Sequence, residues 1–251
     1  MSAPIVVRNL SKTFYDESRG EIKAVDSISF ECREGEVFGL LGANGAGKTT
    51  TLRMLSTILA PTSGSASLMG HDVIGDPEGV RTNLGFYSAT TSLYPRLTAR
   101  ETIDFFARIN QYPADRVEER VESLIKRFGL VKYADARIEK LSSGMKQKVS
   151  IARTVAHDPS ILIFDEPTVG LDVLNALDVQ ETISELRTEG KTIIFSTHIM
   201  SEAERLCDRI AIIHGGHILA SDTLAGLRES TGQHYLEDIF VLYVTAGQET
   251  V

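Results

Sequence analysis

Two spacings alternate along this chain. Short, mainly apolar runs stand at Val37-Phe38-Gly39-Leu40-Leu41, at the fully apolar Ile161-Leu162-Ile163-Phe164 and at Thr192-Ile193-Ile194-Phe195-Ser196, a pattern that suits strands covered on both faces. Helices follow the first two, over 50–55 and over 173–186, the latter ended by Gly190. Apolar strands alternating with helices predict an α/β fold with a mostly parallel core sheet. Ile5-Val6-Val7 and Ser27-Ile28-Ser29-Phe30 read as strands of an early antiparallel β layer, with a loop over 16–21 between them. Pro61-Thr62-Ser63-Gly64 reads as a turn and 65–70 as a short strand with a glycine exit. From Thr98 to about Asp158 the pattern is helical. Thr98 and Glu101 form a capping box ahead of Ile103, Phe106, Ala107 and Asn110; Val117, Val121, Leu124, Ile125 and Phe128 share one face of a second helix closed by Gly129. Asp158-Pro159-Ser160 ends this insertion. Ser201 and Glu204 are expected to cap one more helix, and Gly215-Gly216 to turn a hairpin between 210–213 and 217–219. The apolar segment 239–244 is a terminal strand or helix.

Composition narrows the function classes. The 251 residues carry 26 Lys plus Arg against 34 Asp plus Glu, a net charge of −8, so bulk electrostatics favour no nucleic-acid partner. Cys32 and Cys207 form no Cys-x-x-Cys, which argues against a zinc site or disulfide framework and for two small, buried apolar residues. No apolar run approaches the roughly 20 residues that span a bilayer, and Met1-Ser2-Ala3-Pro4 lacks a signal-peptide core. A membrane role is therefore expected to come through a partner.

Chemistry concentrates first at Gly42-Ala43-Asn44-Gly45-Ala46-Gly47-Lys48-Thr49, placed between the strand at 37–41 and the helix that Thr50 enters. Gly-x-x-x-x-Gly-Lys-Thr lets successive backbone N–H groups turn inward on a phosphate at a helix N-terminus. Lys48 then reaches the β- and γ-phosphates, and the Thr49 hydroxyl ligates Mg²⁺. The bland alternative is a glycine-rich turn. Asp165-Glu166 ends the strand at 161–164, where open α/β sheets place ligands. There Asp165 can hold Mg²⁺ and Glu166 can polarise an attacking water, although two acidic residues after a strand are by themselves more often a solvated loop. In Leu141-Ser142-Ser143-Gly144-Met145-Lys146-Gln147, Ser142 or Ser143 is an N-cap for a helix with Met145, Val149, Ala152 and Ala156 on its apolar face. Such a helix start is also an anion site.

This last segment resembles the Leu-Ser-Gly-Gly-Gln signature of the ATP-binding-cassette (ABC) family. Asp165-Glu166-Pro167-Thr168-Val169-Gly170-Leu171-Asp172 resembles that family's Walker B motif and D-loop, and Ser196-Thr197-His198 its switch histidine. Phe14, two residues after Lys12, resembles the aromatic that stacks on adenine, with ordinary core packing as its alternative. The resemblance runs from Val6 to about Leu227. It implies a P-loop NTPase of ABC type that binds ATP and Mg²⁺ and hydrolyses ATP. Glu166, His198 and Lys48 are then catalytic, Thr49 and Asp165 hold the metal, and His198 senses the γ-phosphate. The nucleotide set is Phe14, the residues 42–49 and Thr50 of one subunit, with Ser142, Ser143 and Gly144 of a second in a head-to-tail homodimer.

The resemblance also implies a division: 1–88 and 158–230 as a RecA-like core with its antiparallel layer, 89–157 as the helical signature subdomain, and 231–251 as a C-terminal extension. There are departures. Ala89 stands where the family has a glutamine; either Thr90, Thr91 or a water replaces it, or the contact matters less in this chain. Ser143 replaces a glycine and Met145 a glutamine. Gly144-Met145-Lys146-Gln147-Lys148 and Phe38-Gly39-Leu40-Leu41-Gly42 resemble the ATPase subunits of ABC-2-type exporters, and Leu93-Tyr94-Pro95-Arg96-Leu97-Thr98 those of sodium-extrusion systems. These likenesses imply an ATPase that energises export through an ABC-2-type membrane permease, on the cytoplasmic face of the membrane and without nucleic acid. The alternative is a soluble ABC ATPase serving an assembly complex.

Overall fold

The computed structural model describes residues 3–18 and 20–248. Met1 and Ser2 of the leading segment, Arg19 of the first loop and residues 249–251 of the extension lie outside it. The chain opens with β1 (Ile5–Asp16) and β2 (Gly20–Cys32), a longer and tighter hairpin than the expected loop over 16–21. Then come β3 (Val37–Leu41) and α1 (Lys48–Leu55). β4 (Ser63–Leu68) takes in Ser63 and Gly64 of the expected turn, and Met69-Gly70 leads to the two-residue β5 (His71–Asp72). The helix α2 (Pro77–Asn83) has a sequence signal that the periodicity missed: Asp76 caps the Gly79 N–H and Pro77 fixes the first helical residue. β6 (Leu84–Ser88) leads into the helical stretch.

There α3 (Ala99–Ile109) starts at the Thr98–Glu101 capping box, with both reciprocal hydrogen bonds formed. α4 (Val117–Arg127) buries Val117, Val121, Leu124 and Ile125, and α5 (Ser143–Thr154) begins within the signature segment. The α/β alternation then returns with β7 (Ile161–Asp165), α6 (Val173–Thr188), β8 (Thr192–Thr197) and α7 (Met200–Leu206). Ser201 and Glu204 do not cap α7. Its N-cap is Ile199, whose apolar side chain makes no capping bond; just before it, the Thr197 hydroxyl donates to Glu202 and accepts from the Ile199 N–H. β9 (Arg209–His214) and β10 (His217–Asp222) join through Gly215 and Gly216, both at positive φ. α8 (Leu224–Thr231) and α9 (Leu236–Gln248) finish the chain, so 239–244 is helical.

One sheet runs β2-β1-β4-β5, all antiparallel; the other runs β10-β9-β3-β8-β7-β6, parallel from β9 to β6. Side chains of the central strands divide between two cores. Leu162, Phe164, Ile193 and Phe195 join the helical-stretch core, while Phe38, Leu40, Ile163 and Ile194 pack toward the antiparallel sheet and α1. Burial on both faces is why these strands read as unbroken apolar runs. A third cluster seats α7, α8 and α9 on Ile210 and Ile212.

Candidate functional site

Three adjacent parallel strands, β3, β8 and β7, end side by side. The loop 42–47 leaves β3, His198 follows β8 and Glu166 follows β7. The loop needs its glycines: a Cβ on Gly42 would stand 2.4 Å from the Ile213 carbonyl oxygen, and Gly47, at φ 108, would meet the Ala24 oxygen at 2.6 Å. Lys48 is buried in this cradle, donating to the carbonyls of Gly42 (2.7 Å) and Ala43 (3.1 Å), with its Nζ 3.0 Å from Glu166 Oε1. Asn44, Gly45, Gly47, Lys48, Thr49, Thr50 and Glu166 line one cleft with Ala24. Ala43 is exposed beside it, whereas Ala46 is buried and holds the Gly216 N–H through its carbonyl.

The acidic pair has two different environments. Asp165 pairs in register with Ser196, and its Oδ1 accepts from the Ser196 hydroxyl (2.8 Å) and the Thr49 hydroxyl (3.2 Å). Burial raises its pKa, against those two bonds. Glu166 also feels burial, but Lys48 and His198 outweigh it and hold the carboxyl below its ordinary value. Its backbone is left-handed, at φ 48, and its N–H donates to both the Ser196 carbonyl (3.2 Å) and hydroxyl (3.1 Å). His198 Nδ1 lies 3.4 Å from Glu166 Oε2. Ser196 was invisible as a functional residue in the sequence, since only strand pairing sets its hydroxyl between Asp165 and Glu166.

Ser142 is the N-cap of α5, accepting from the Met145 N–H, and Ser143 is the first helical residue. Gly144 packs on the start of α6, where a Cβ would be 2.6 Å from Asn175 Oδ1, itself held near Asp172. None of Ser142, Ser143 or Gly144 lines the Lys48 cleft. Phe14 is 40 % exposed with Lys12 Nζ 5.3 Å from its ring centre, so core packing does not explain it. Near the departure at Ala89, Thr90 bonds the Ser88 hydroxyl. Tyr87 donates to Gln147 Oε1 (2.8 Å), and Gln147 Nε2 donates to the Pro167 carbonyl (2.7 Å). Of the two cysteines Cys32 is fully buried, while Cys207 is half-buried against Gly39.

With this geometry, the arrangement can cradle a polyphosphate on backbone N–H groups and present an ammonium and a carboxylate to its end. Known proteins agree. The sequence profile described as ABC transporter matches residues 25–169. The ABC transporter ATP-binding protein NatA of Bacillus subtilis is 40 % identical over 97 % of this chain and 99 % of its own length. The daunorubicin/doxorubicin resistance ATP-binding protein DrrA of Streptomyces peucetius is 37 % identical over 85 % of this chain and 65 % of its own. Among solved structures, an ATP-binding subunit of an ABC transporter superposes with a TM-score of 0.86 at 30 % identity, covering 97 % of this chain and all of the other. A dimeric ATP-binding cassette in a post-hydrolysis state with ADP and Pi superposes at 0.78 with 25 % identity, covering 88 % of this chain and 98 % of its own. The chain belongs to the ABC transporter family, as an ATP-binding domain of that fold.

Proposed function

We propose that this chain is the ATP-hydrolysing subunit of an export transporter, working through a separate ABC-2-type membrane permease from the cytoplasmic face, with sodium ions as the cargo. The observation that carries the ATPase reading is the convergence of Lys48, Thr49, Asp165, Glu166 and His198 at the ends of three adjacent strands. The exporter reading draws support from relatives such as NatA, DrrA and the Nod factor export ATP-binding protein I of Ralstonia nicotianae. Among the described residues no helix is long and apolar enough to cross a membrane, which suits a separate permease. In this reading 1–88 and 158–230 form the nucleotide-binding core, 89–157 the helical signature subdomain and 231–251 an extension.

In the reaction, ATP and water give ADP and phosphate. Phe14 stacks on the base, and the backbone of residues 42–49 with Thr50 wraps the phosphates. Lys48 neutralises the terminal phosphates from the floor of the loop. Glu166, kept ionised by Lys48, orients and polarises the attacking water, and His198 contacts the γ-phosphate from the neighbouring strand end. Thr49 and Asp165 offer two hard oxygens 3.2 Å apart. Among the described residues no cluster of three or more His, Cys, Asp or Glu offers a full metal cage. That suits Mg²⁺, which takes one or two protein oxygens and completes its shell with phosphate and water. Bound there, it would neutralise charge on the phosphate oxygens. Ser142, Ser143 and Gly144, which do not line their own chain's cleft, serve the site of a second copy.

Glu166→Gln is expected to keep ATP affinity while lowering turnover by about two to four orders of magnitude, as removal of a general base does, and to collect as an ATP-bound dimer. Steady-state hydrolysis and gel filtration with MgATP check this. Equal turnover in wild type and variant would remove Glu166 from catalysis. Sodium efflux from vesicles holding the permease tests the cargo.

A further inference from the structure

The amide of Gln147 ties together three segments that are distant in sequence. Its Oε1 accepts from the Tyr87 hydroxyl at 2.8 Å, and its Nε2 donates to the Pro167 carbonyl at 2.7 Å. The direction is unambiguous, because a carbonyl only accepts and so must face the NH₂ end. Tyr87 sits on β6, next to the point where the chain enters the helical stretch, and is 3 % exposed with its ring against Phe164 of β7 at 5.9 Å. Pro167 is buried and follows Glu166 directly. Gln147 itself lies on α5, one turn after Ser143 and Gly144.

Glu166 is thus held from two sides. Ser196 fixes its N–H, and Gln147 fixes the carbonyl of the next residue, across a left-handed backbone that needs outside support. Only the second hold comes from the signature helix. A rigid shift of the α5 start must carry Gln147 with it and pull on the Pro167 peptide.

We propose that Gln147 is a positioning residue that transmits the placement of the Ser142–Gly144 helix start to Glu166, with Tyr87 fixing the amide's orientation. This rests on the ATPase reading of the site. It also gives the strand before Ala89 a link to the catalytic loop that needs no glutamine at position 89.

The test compares full-length wild type with Gln147→Met, Tyr87→Phe and the double variant, following MgATP hydrolysis, nucleotide affinity and thermal midpoint. Gln147→Met should lower kcat about tenfold, the equivalent of one well-placed hydrogen bond, with KM and nucleotide affinity within about twofold of wild type. Gln147→Glu, which keeps the Tyr87 bond but sets an acceptor against the Pro167 carbonyl, should be no better than Gln147→Met. Tyr87→Phe should lower kcat less, and the double variant should match Gln147→Met alone, because both act through one amide. Unchanged kcat in Gln147→Met, or losses that multiply in the double variant, would overturn the proposal while leaving the ATPase reading intact. An inactive wild type overturns both. If Gln147→Met does not fold, Tyr87→Phe decides: a lower kcat at unchanged KM supports the link, and wild-type kcat sinks it.

Discussion

In the proposed reaction Glu166 is two things at once, an ionised base and a residue with a left-handed backbone at φ 48. Lys48 supplies the first and Ser196 the second, since the Ser196 hydroxyl accepts from the Glu166 N–H while donating to Asp165. Ser196 is fully buried, so its loss is not repaired by solvent. Ser196→Ala should destabilise the fold by about 1–3 kcal/mol, the range for a buried polar group left short of a partner. Urea unfolding measures this. The same variant should weaken hydrolysis without lowering nucleotide affinity, because Lys48 and residues 42–47 are untouched. A stability within about 0.3 kcal/mol of wild type, the scale of experimental scatter, would show that the bond contributes nothing.

At the scale of elements, the turn after α5 bears on pH. His157 Nε2 lies 3.1 Å from the Leu84 carbonyl, to which it must donate, and its Nδ1 is buried with no hydrogen-bond partner. Burial, with Arg120 and Lys191 nearby, lowers its pKa from 6.5 to about 4. Between those two values the unfolded chain holds a proton on this ring that the folded chain refuses. Stability therefore falls as pH drops from 6.5 toward 4 and levels off below, this one ring contributing about 3 kcal/mol across the window. Denaturant unfolding at a series of pH values should show the slope, and His157→Gln should flatten it by about one proton. A wild-type slope equal to that of the variant would place the imidazole in a solvated, ordinary environment.

For the whole molecule, the decisive fact is a separation: the start of α5 does not line the cleft of its own Lys48. A head-to-tail pair of chains would close each cleft with the partner's Ser142 to Gly144. Mixing offers a direct check. Lys48→Ala spoils the cleft, and Ser143→Glu, at the exposed first residue of α5, sets a negative charge at the helix start without moving it. Each alone should be inactive, yet the mixture should regain hydrolysis, because one composite site of the mixed dimer is then intact. A mixture as inactive as its components would argue for a site completed within one chain.

Much of the fold and the site was legible in the linear chain because the determinants are local. The apolar runs at 37–41 and 161–164 are strands buried on both faces, the Thr98–Glu101 box starts its helix as expected, and the fold brings Lys48 and Thr49 of the 42–49 run against Glu166 and Asp165. Where reading failed, the deciding partner was far away or the signal was too short. Ser201 lies inside α7, which starts from Ile199 without a side-chain cap, and α2 was too brief to show a period; for 239–244, open between strand and helix, the helix comes with packing on α8 and β9. Ser196 and Gln147 were silent because a serine and a glutamine say nothing until strand register and helix packing give them neighbours. Residue order was enough for the α/β alternation, the phosphate loop and the family, each of which is written in short-range spacing. Folding in three dimensions had to settle which hydroxyl steadies Asp165, which amide grips the peptide after Glu166, and that the signature helix start lies outside its own chain's cleft, since those contacts join residues tens of positions apart.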